Sequence, residues 1–164
     1  MKKLIFVRHG KAEEVVNGMS DFERSLTAAG KKISRQMAKT FLKKEGSPGL
    51  IISSPAFRAF ETACIFAGQQ DERSYDKIML KSDLYFGTNL QKLNKILGEI
   101  DNSVEKITLF GHNPSFTDMP DTLSKTGCGP VPKSGVVCIS FDVDKWEDIN
   151  RGEGKLEYFL KPDK

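Results

Sequence analysis

Histidine, cysteine and tryptophan are scarce in this chain of 164 residues, which holds two, three and one of them. Any imidazole chemistry must therefore use His9, His112 or both. Two distant histidines with no HxH or HxxE spacing offer no metal site, and no cofactor is expected. The cysteines, Cys64, Cys128 and Cys138, are odd in number, widely spaced and form no C-x-x-C pair. That pattern excludes a disulfide framework and a zinc knuckle. Long apolar runs are also missing. After Met1-Lys2-Lys3 the run Leu4 to Val7 stops at Arg8, short of the roughly 7–15 residues of a secretory core. No later run approaches the ~20 residues of a membrane span. A reduced, cytoplasmic protein without membrane contact is expected. Charge of one sign is in small excess: 25 Lys and Arg against 22 Asp and Glu leave +3. Pairs such as Lys31-Lys32 and Lys43-Lys44 fit solvated helix faces rather than a nucleic-acid stripe.

What is present is an alternation of short apolar runs with segments of helical period. Leu4 to Val7, Leu50 to Ile52, Ile78 to Leu80, Ile107 to Phe110, Val136 to Phe141 and Leu156 to Leu160 read as strands. Ile33, Met37, Phe41 and Leu42 mark a helix that Thr27 can cap. Phe57, Phe60, Cys64 and Ala67 mark a second, with Ser54 as cap and Pro55 at its first position. Leu90, Leu93, Leu97 and Ile100 mark a third behind Asn89, and a short helix over 116–123 would have to accommodate Pro120. Gly127 to Gly135 reads as loop, and Asp142 to Gly154 as a polar connection carrying Trp146. Strands alternating with helices predict an α/β layer fold with a largely parallel sheet. With no repeat or linker in view, one domain over 1–164 is expected.

In such sheets function gathers at the carboxyl ends of strands. Three ends stand out: Arg8-His9-Gly10, Ser53-Ser54-Pro55 with Arg58, and Gly111-His112-Asn113-Pro114. Other motifs fail on inspection. A cysteine-based phosphatase needs arginine six positions after its cysteine, where Gln70, Ser134 and Asp144 stand. Gly127 to Ser134 nearly spells a P-loop, but Pro132 replaces the second glycine and a strand, not a helix, follows. Asp142-Val143-Asp144 resembles an aspartyl-phosphate motif, with Trp146 where Thr or Val belongs.

The three ends make sense together. A phosphoryl group carries two negative charges and three acceptor oxygens, which the rigid, permanently charged forks of Arg8 and Arg58 match. A neutral histidine between them can attack phosphorus and later release it to water. The same arginines disfavour imidazolium and keep His9 nucleophilic. His112 can then donate a proton or a hydrogen bond to the phosphoryl oxygens.

R-H-G at 8–10, S-S-P-A-F-R-A-F-E-T-A at 53–63 and G-H-N-P at 111–114 resemble the histidine phosphatase superfamily. The run D-x-x-R-x-L-T-x-x-G from Asp21 to Gly30 is similar to the SixA-like phosphohistidine phosphatases. The resemblance implies a three-layer α/β/α sandwich of the phosphoglycerate mutase type, a phosphohistidine on His9, and no metal. It places Arg8, Arg58 and His112 beside His9 as catalytic and phosphate-binding residues. Arg24 joins them as a phosphate contact or, equally, as an ion-pair partner of Asp21. Glu61 and Thr62 read as packing or surface residues.

One departure bears on substrate. Mutase-like and phosphoesterase relatives carry a Glu acid after the third strand, where Asp83 to Thr88 here contains none. Asp83, Glu13 and Asp21 are available, but no spacing marks any of them. An alkoxide leaving group needs a proton donor. Imidazole, with a conjugate acid of pKa about 6.5, needs less help. The expected substrate is therefore a phosphohistidine-containing protein, admitted by a cleft with little chain left to cover it. A phosphomonoesterase for small phosphorylated molecules and a non-catalytic phosphate-binding module are the alternatives.

Overall fold

A computed structural model describes residues 1–71 and 74–163. Strands β1 (Lys2–Arg8), β2 (Leu50–Ser53), β3 (Met79–Leu80), β4 (Lys106–Gly111), β5 (Val136–Phe141) and β6 (Lys155–Leu160) form one sheet in the order β3-β2-β4-β1-β5-β6. The first four pair in parallel, and β5 is antiparallel to both β1 and β6. Only β5 thus runs against the others. Parallel neighbours need a crossover, which helices supply between β1 and β2 and between β3 and β4. The connection from β5 to β6 holds only a single turn of 3-10 helix at Trp146–Asp148, so that pair returns antiparallel.

Helices α1 (Ala28–Glu45) and α2 (Phe57–Gln70) pack on one face, α3 (Leu90–Gly98) and α4 (Ser115–Leu123) on the other. Side chains alternate along a strand, so Leu4 and Phe6 join the α3/α4 core while Ile5 and Val7 join the α1/α2 core. Burial on both faces explains why β1 reads as an unbroken apolar run. The three-layer sandwich follows.

The predicted caps hold for two helices: Thr27 accepts the Gly30 N–H and Asn89 accepts the Lys92 N–H. The start of α2 differs from expectation. Its first residue is Phe57, behind Ala56, and the Ser54 hydroxyl instead closes a tight turn by accepting the Ala56 N–H at 3.2 Å. The buried stripe is also rotated. Arg58, Ala59, Thr62, Ala63, Phe66 and Ala67 face inward, while Phe57 is exposed. Near the other end of the chain, α4 runs through Pro120, which is buried beside Phe116, Met119 and Leu123. Apolar burial there offsets the loss of one helical hydrogen bond. Trp146 anchors its polar connection from a fully buried position, with its indole N–H on the Val104 carbonyl at 2.9 Å.

Candidate active site

Strand register brings the three predicted ends side by side. Arg8 lies opposite Gly111 and Ser53 opposite Phe110, so the next residues, His9, His112 and Ser54, emerge together from β1, β4 and β2. The His9 and His112 rings approach to 5.1 Å between centroids. The loop entering β5 closes the floor: Ser134, at φ +62°, donates its N–H to the Arg8 carbonyl at 3.0 Å. Close approach also explains two glycines. A Cβ at Gly111 would sit 2.3 Å from the Phe116 ring, and one at Gly30 would sit 2.2 Å from the Lys11 carbonyl oxygen. The second contact is why α1 can press its start against the Arg8-His9-Gly10 turn.

The two rings are held differently. His9 Nδ1 lies 2.7 Å from the Gly10 carbonyl. A carbonyl only accepts, so Nδ1 carries the proton and Nε2 of the neutral ring keeps its lone pair. Burial, then the charges of Arg58, Arg8 and Lys133, outweigh that carbonyl and lower the His9 pKa to about 4. His112 Nε2 lies 2.8 Å from the Ser54 hydroxyl. Burial and the charges of His9, Arg58 and Arg8 lower its pKa to about 3, against a smaller upward pull from Asp21. Both imidazoles are therefore neutral near pH 7.

Arg58 is almost wholly buried and turned into the cleft from the first turn of α2. Its Nη2 donates to Asp21 Oδ2 at 2.9 Å and its Nη1 to the Asp21 carbonyl at 2.7 Å. Arg8 donates from Nη1 to the Val131 carbonyl at 3.1 Å. Arg24 engages Asp21 Oδ1 at 3.0 Å and the Glu13 carbonyl at 2.6 Å, and reaches the cluster through Asp21. The Tyr85 hydroxyl adds a fourth contact, donating to Asp21 Oδ2 at 2.9 Å. Burial pushes the Asp21 carboxyl up, but hydrogen bonds from Arg24, Tyr85 and Arg58 outweigh it and hold the pKa at about 2. Glu13 is surface-exposed and Asp83 half-buried, 4.0 Å from Lys95.

One property singles this place out. Among the described residues, the buried side-chain polar atoms without a hydrogen-bond partner are Arg8 Nε, Arg58 Nε and His112 Nδ1. Leaving such an atom unpaired costs ~1–3 kcal/mol, and an anion seated among these three side chains would satisfy all of them. Beside it opens a cleft of about 460 Å³, bounded by Arg58, Tyr85, Phe86, His112 and Asn113. No group of three or more His, Cys, Asp or Glu among the described residues could hold a metal ion.

The profile described as histidine phosphatase superfamily (branch 1) matches residues 4–82, the stretch that carries Arg8-His9-Gly10, the Asp21–Gly30 run and Arg58. That match, over just under half of the chain, makes it similar to the histidine phosphatase superfamily. Solved structures extend the likeness in fold to nearly the full length of the chain. SixA of Agrobacterium tumefaciens superposes with a TM-score of 0.79 at 23% identity, covering 99% of each chain. The protein histidine phosphatase SixA complexed with tungstate gives 0.79 at 22% identity, over 98% of this chain and 97% of that one. A mycobacterial glucosyl-3-phosphoglycerate phosphatase in complex with VO3 gives 0.68 at 16% identity, over 96% and 98%. At these identities the likeness is one of fold. No curated protein sequence matches the chain.

Two residues of the site escape a reading by motif. Ser54 was expected to cap α2 and instead contacts His112. Thr62, expected at a surface or packing position, is fully buried and accepts the Gly10 N–H at 3.1 Å. Its place four residues after Arg58, on the same helix face, was the available signal.

Proposed function

We propose that the chain is a phosphohistidine phosphatase that hydrolyses N-phosphorylated histidine on a protein. In this reading His9 Nε2 attacks phosphorus, the N–P bond to the substrate breaks, and the phosphoryl group passes to His9. The departing imidazole takes its proton from solvent at the far ring nitrogen and leaves neutral. Water then attacks the phosphohistidine on His9 and releases phosphate. Arg8, Arg58 and His112 meet the charge on the phosphoryl oxygens. Ser54 has an acceptor role toward Ala56, so its own hydrogen is available to His112 Nε2, with the proton of that ring on Nδ1. All three unpartnered atoms then become N–H donors. That trio is the observation that carries a phosphoryl site.

The choice of a nitrogen leaving group rests on Asp21. It is the carboxylate built into the site, and with a pKa of about 2 it has no proton to give near neutral pH. Tyr85 hydrogen-bonds to that same anion, which together with burial raises its pKa and makes it a poor acid. An alkoxide would leave unaided here; an imidazole does not need aid. The fold likeness to a sugar-phosphate phosphatase supports the second reading, a small-molecule phosphomonoesterase on the same residues. Among the described residues no helix is long and apolar enough to cross a membrane.

The test is a substrate panel of phosphohistidine protein, sugar phosphates and aryl phosphates, with His9→Ala as control. Expected are preferred turnover of the phosphohistidine protein, an acid-labile, base-stable phosphate trapped on His9, and no turnover in His9→Ala. A strong preference for an alcohol ester reverses the ranking of substrates. Full activity of His9→Ala removes the mechanism.

A further inference from the structure

On the other flank of Arg8 lies a second pocket, of about 550 Å³, which the phosphoryl chemistry does not use. Arg8, Lys11, Lys133 and Lys161 line it together with Ile33 and Pro132, and no acidic residue does. The three lysines come from three separate segments: the turn after β1, the loop before β5 and the end of β6. Among the described residues none of their ammonium groups lies within 4 Å of a carboxylate, whereas Lys3 and Lys106 share Glu45 and Lys81 meets Glu99. Lys161 and Lys133 are nonetheless placed. Lys161 sits 4.6 Å above the Phe159 ring, and Lys133 precedes Ser134, whose N–H is bonded to the Arg8 carbonyl. The charge of Lys133 is felt at His9, so pocket and histidine pair share one field.

Like charges gathered without counter-charge cost free energy unless an anion offsets them, and a chain of net charge +3 need not concentrate four of them in one place. The wall of Ile33 and Pro132 suits an anion on an aliphatic stem better than a bare inorganic ion. We propose that this pocket is an anion subsite that receives an acidic side chain flanking the phosphohistidine on the substrate protein. The phosphohistidine placement rests on the function proposed above; the preference for a flanking carboxylate does not depend on turnover. Arg8 then faces both anions, and the subsite selects among phosphohistidine proteins by their neighbouring charge.

Binding, not hydrolysis, tests this. Two peptides carrying a non-hydrolysable phosphonate analogue of phosphohistidine, one flanked by Glu and the other by Gln, are titrated against the full chain by fluorescence polarisation. The Glu peptide is expected to bind about five- to tenfold tighter at low salt, the range of two exposed charge pairs. The ratio should fall towards one in about 0.5 M NaCl, where screening is nearly complete at these separations. Lys11→Glu/Lys161→Glu, with folding checked by Trp146 fluorescence, should erase or invert the ratio. Equal affinities in the wild type, a ratio unchanged in the double variant, or no measurable binding of either peptide overturns the subsite. A small phosphorylated carboxylate that depends on Lys11 and Lys161 when the peptides do not also overturns it, in favour of a second anion on a small molecule. Failure to hydrolyse phosphohistidine protein, by contrast, removes the proposed function while the binding ratio still stands or falls alone.

Discussion

Asp21 grips Arg58 twice, through Oδ2 at 2.9 Å and through its backbone carbonyl at 2.7 Å. The same carboxylate holds Arg24 and Tyr85, so one half-exposed side chain sets the position of a buried cation of the proposed phosphoryl site. Asp21→Asn keeps the size and one acceptor but removes the charge. A hydrogen bond to a charged group contributes ~1.5–3 kcal/mol, and partial retention by the carbonyl leaves an expected loss in kcat/KM of about tenfold. Steady-state kinetics measure it. An unchanged kcat/KM would mean that the carbonyl and packing alone hold Arg58.

Anion binding should draw protons into the site. His9 and His112 are held near pKa values of about 4 and about 3, below the 6.5 of an exposed imidazole. Between pH 6.5 and those values the unfolded chain binds protons that the folded chain does not, so stability falls as pH drops through that window. Asp21 acts lower down. Its folded pKa of about 2 lies under the ordinary 3.8, so its contribution is present above 3.8 and lost as pH falls through 2. A dianion among Arg8, Arg58 and His112 opposes desolvation and raises the histidine values. Calorimetric titration with tungstate at pH 5.5 should therefore show proton uptake, seen as different apparent enthalpies in two buffers of different ionisation enthalpy. Tungstate should also recover part of the stability lost at that pH. Identical enthalpies would place the anion away from the histidines.

How far the sequence carried depended on what each signal measures. Apolar runs report burial, and β1, β4 and β5 are buried on both faces, so their positions were legible. The convergence of His9, His112 and Ser54 was legible only as three strand ends; that they touch depends on the order β2-β4-β1 and on the register of Arg8 with Gly111. Phase within α2 was misread because Phe57 and Phe60 outweigh Ala59 and Ala63 on any apolar scale. The helix turns its small residues to the sheet and leaves Phe57 to pack with Phe22 at the cleft mouth. Arg58 accordingly begins the inward-facing stripe, where Asp21 answers its charge. Arg24 was left between phosphate and Asp21, and a pairing three residues away is short-range enough to be seen in sequence. The contact of Asp21 with Arg58 spans 37 residues and no local pattern announces it.

Thr62 joins the turn of His9, the proposed nucleophile, to the helix that carries Arg58. Its hydroxyl accepts the buried Gly10 N–H at 3.1 Å and donates to the Arg58 carbonyl at 2.7 Å, while the Gly10 carbonyl orients His9 Nδ1. Thr62→Val keeps the shape and strands the Gly10 N–H, which should cost ~1–3 kcal/mol of stability. Urea unfolding followed through the single, buried Trp146 reads that loss. A purely structural role would end there. A positioning role predicts in addition slower phosphorylation of His9 in a single turnover, with KM little changed, because a displaced Gly10 moves the carbonyl that orients Nδ1 and turns Nε2 off the phosphorus. Thr62→Ser restores the hydroxyl and should recover the phosphorylation rate while still losing the methyl group's share of the packing. If Thr62→Val phosphorylates as fast as the wild type, the Gly10 peptide is fixed by its other neighbours, Ser34 and Ser134, and Thr62 contributes stability alone.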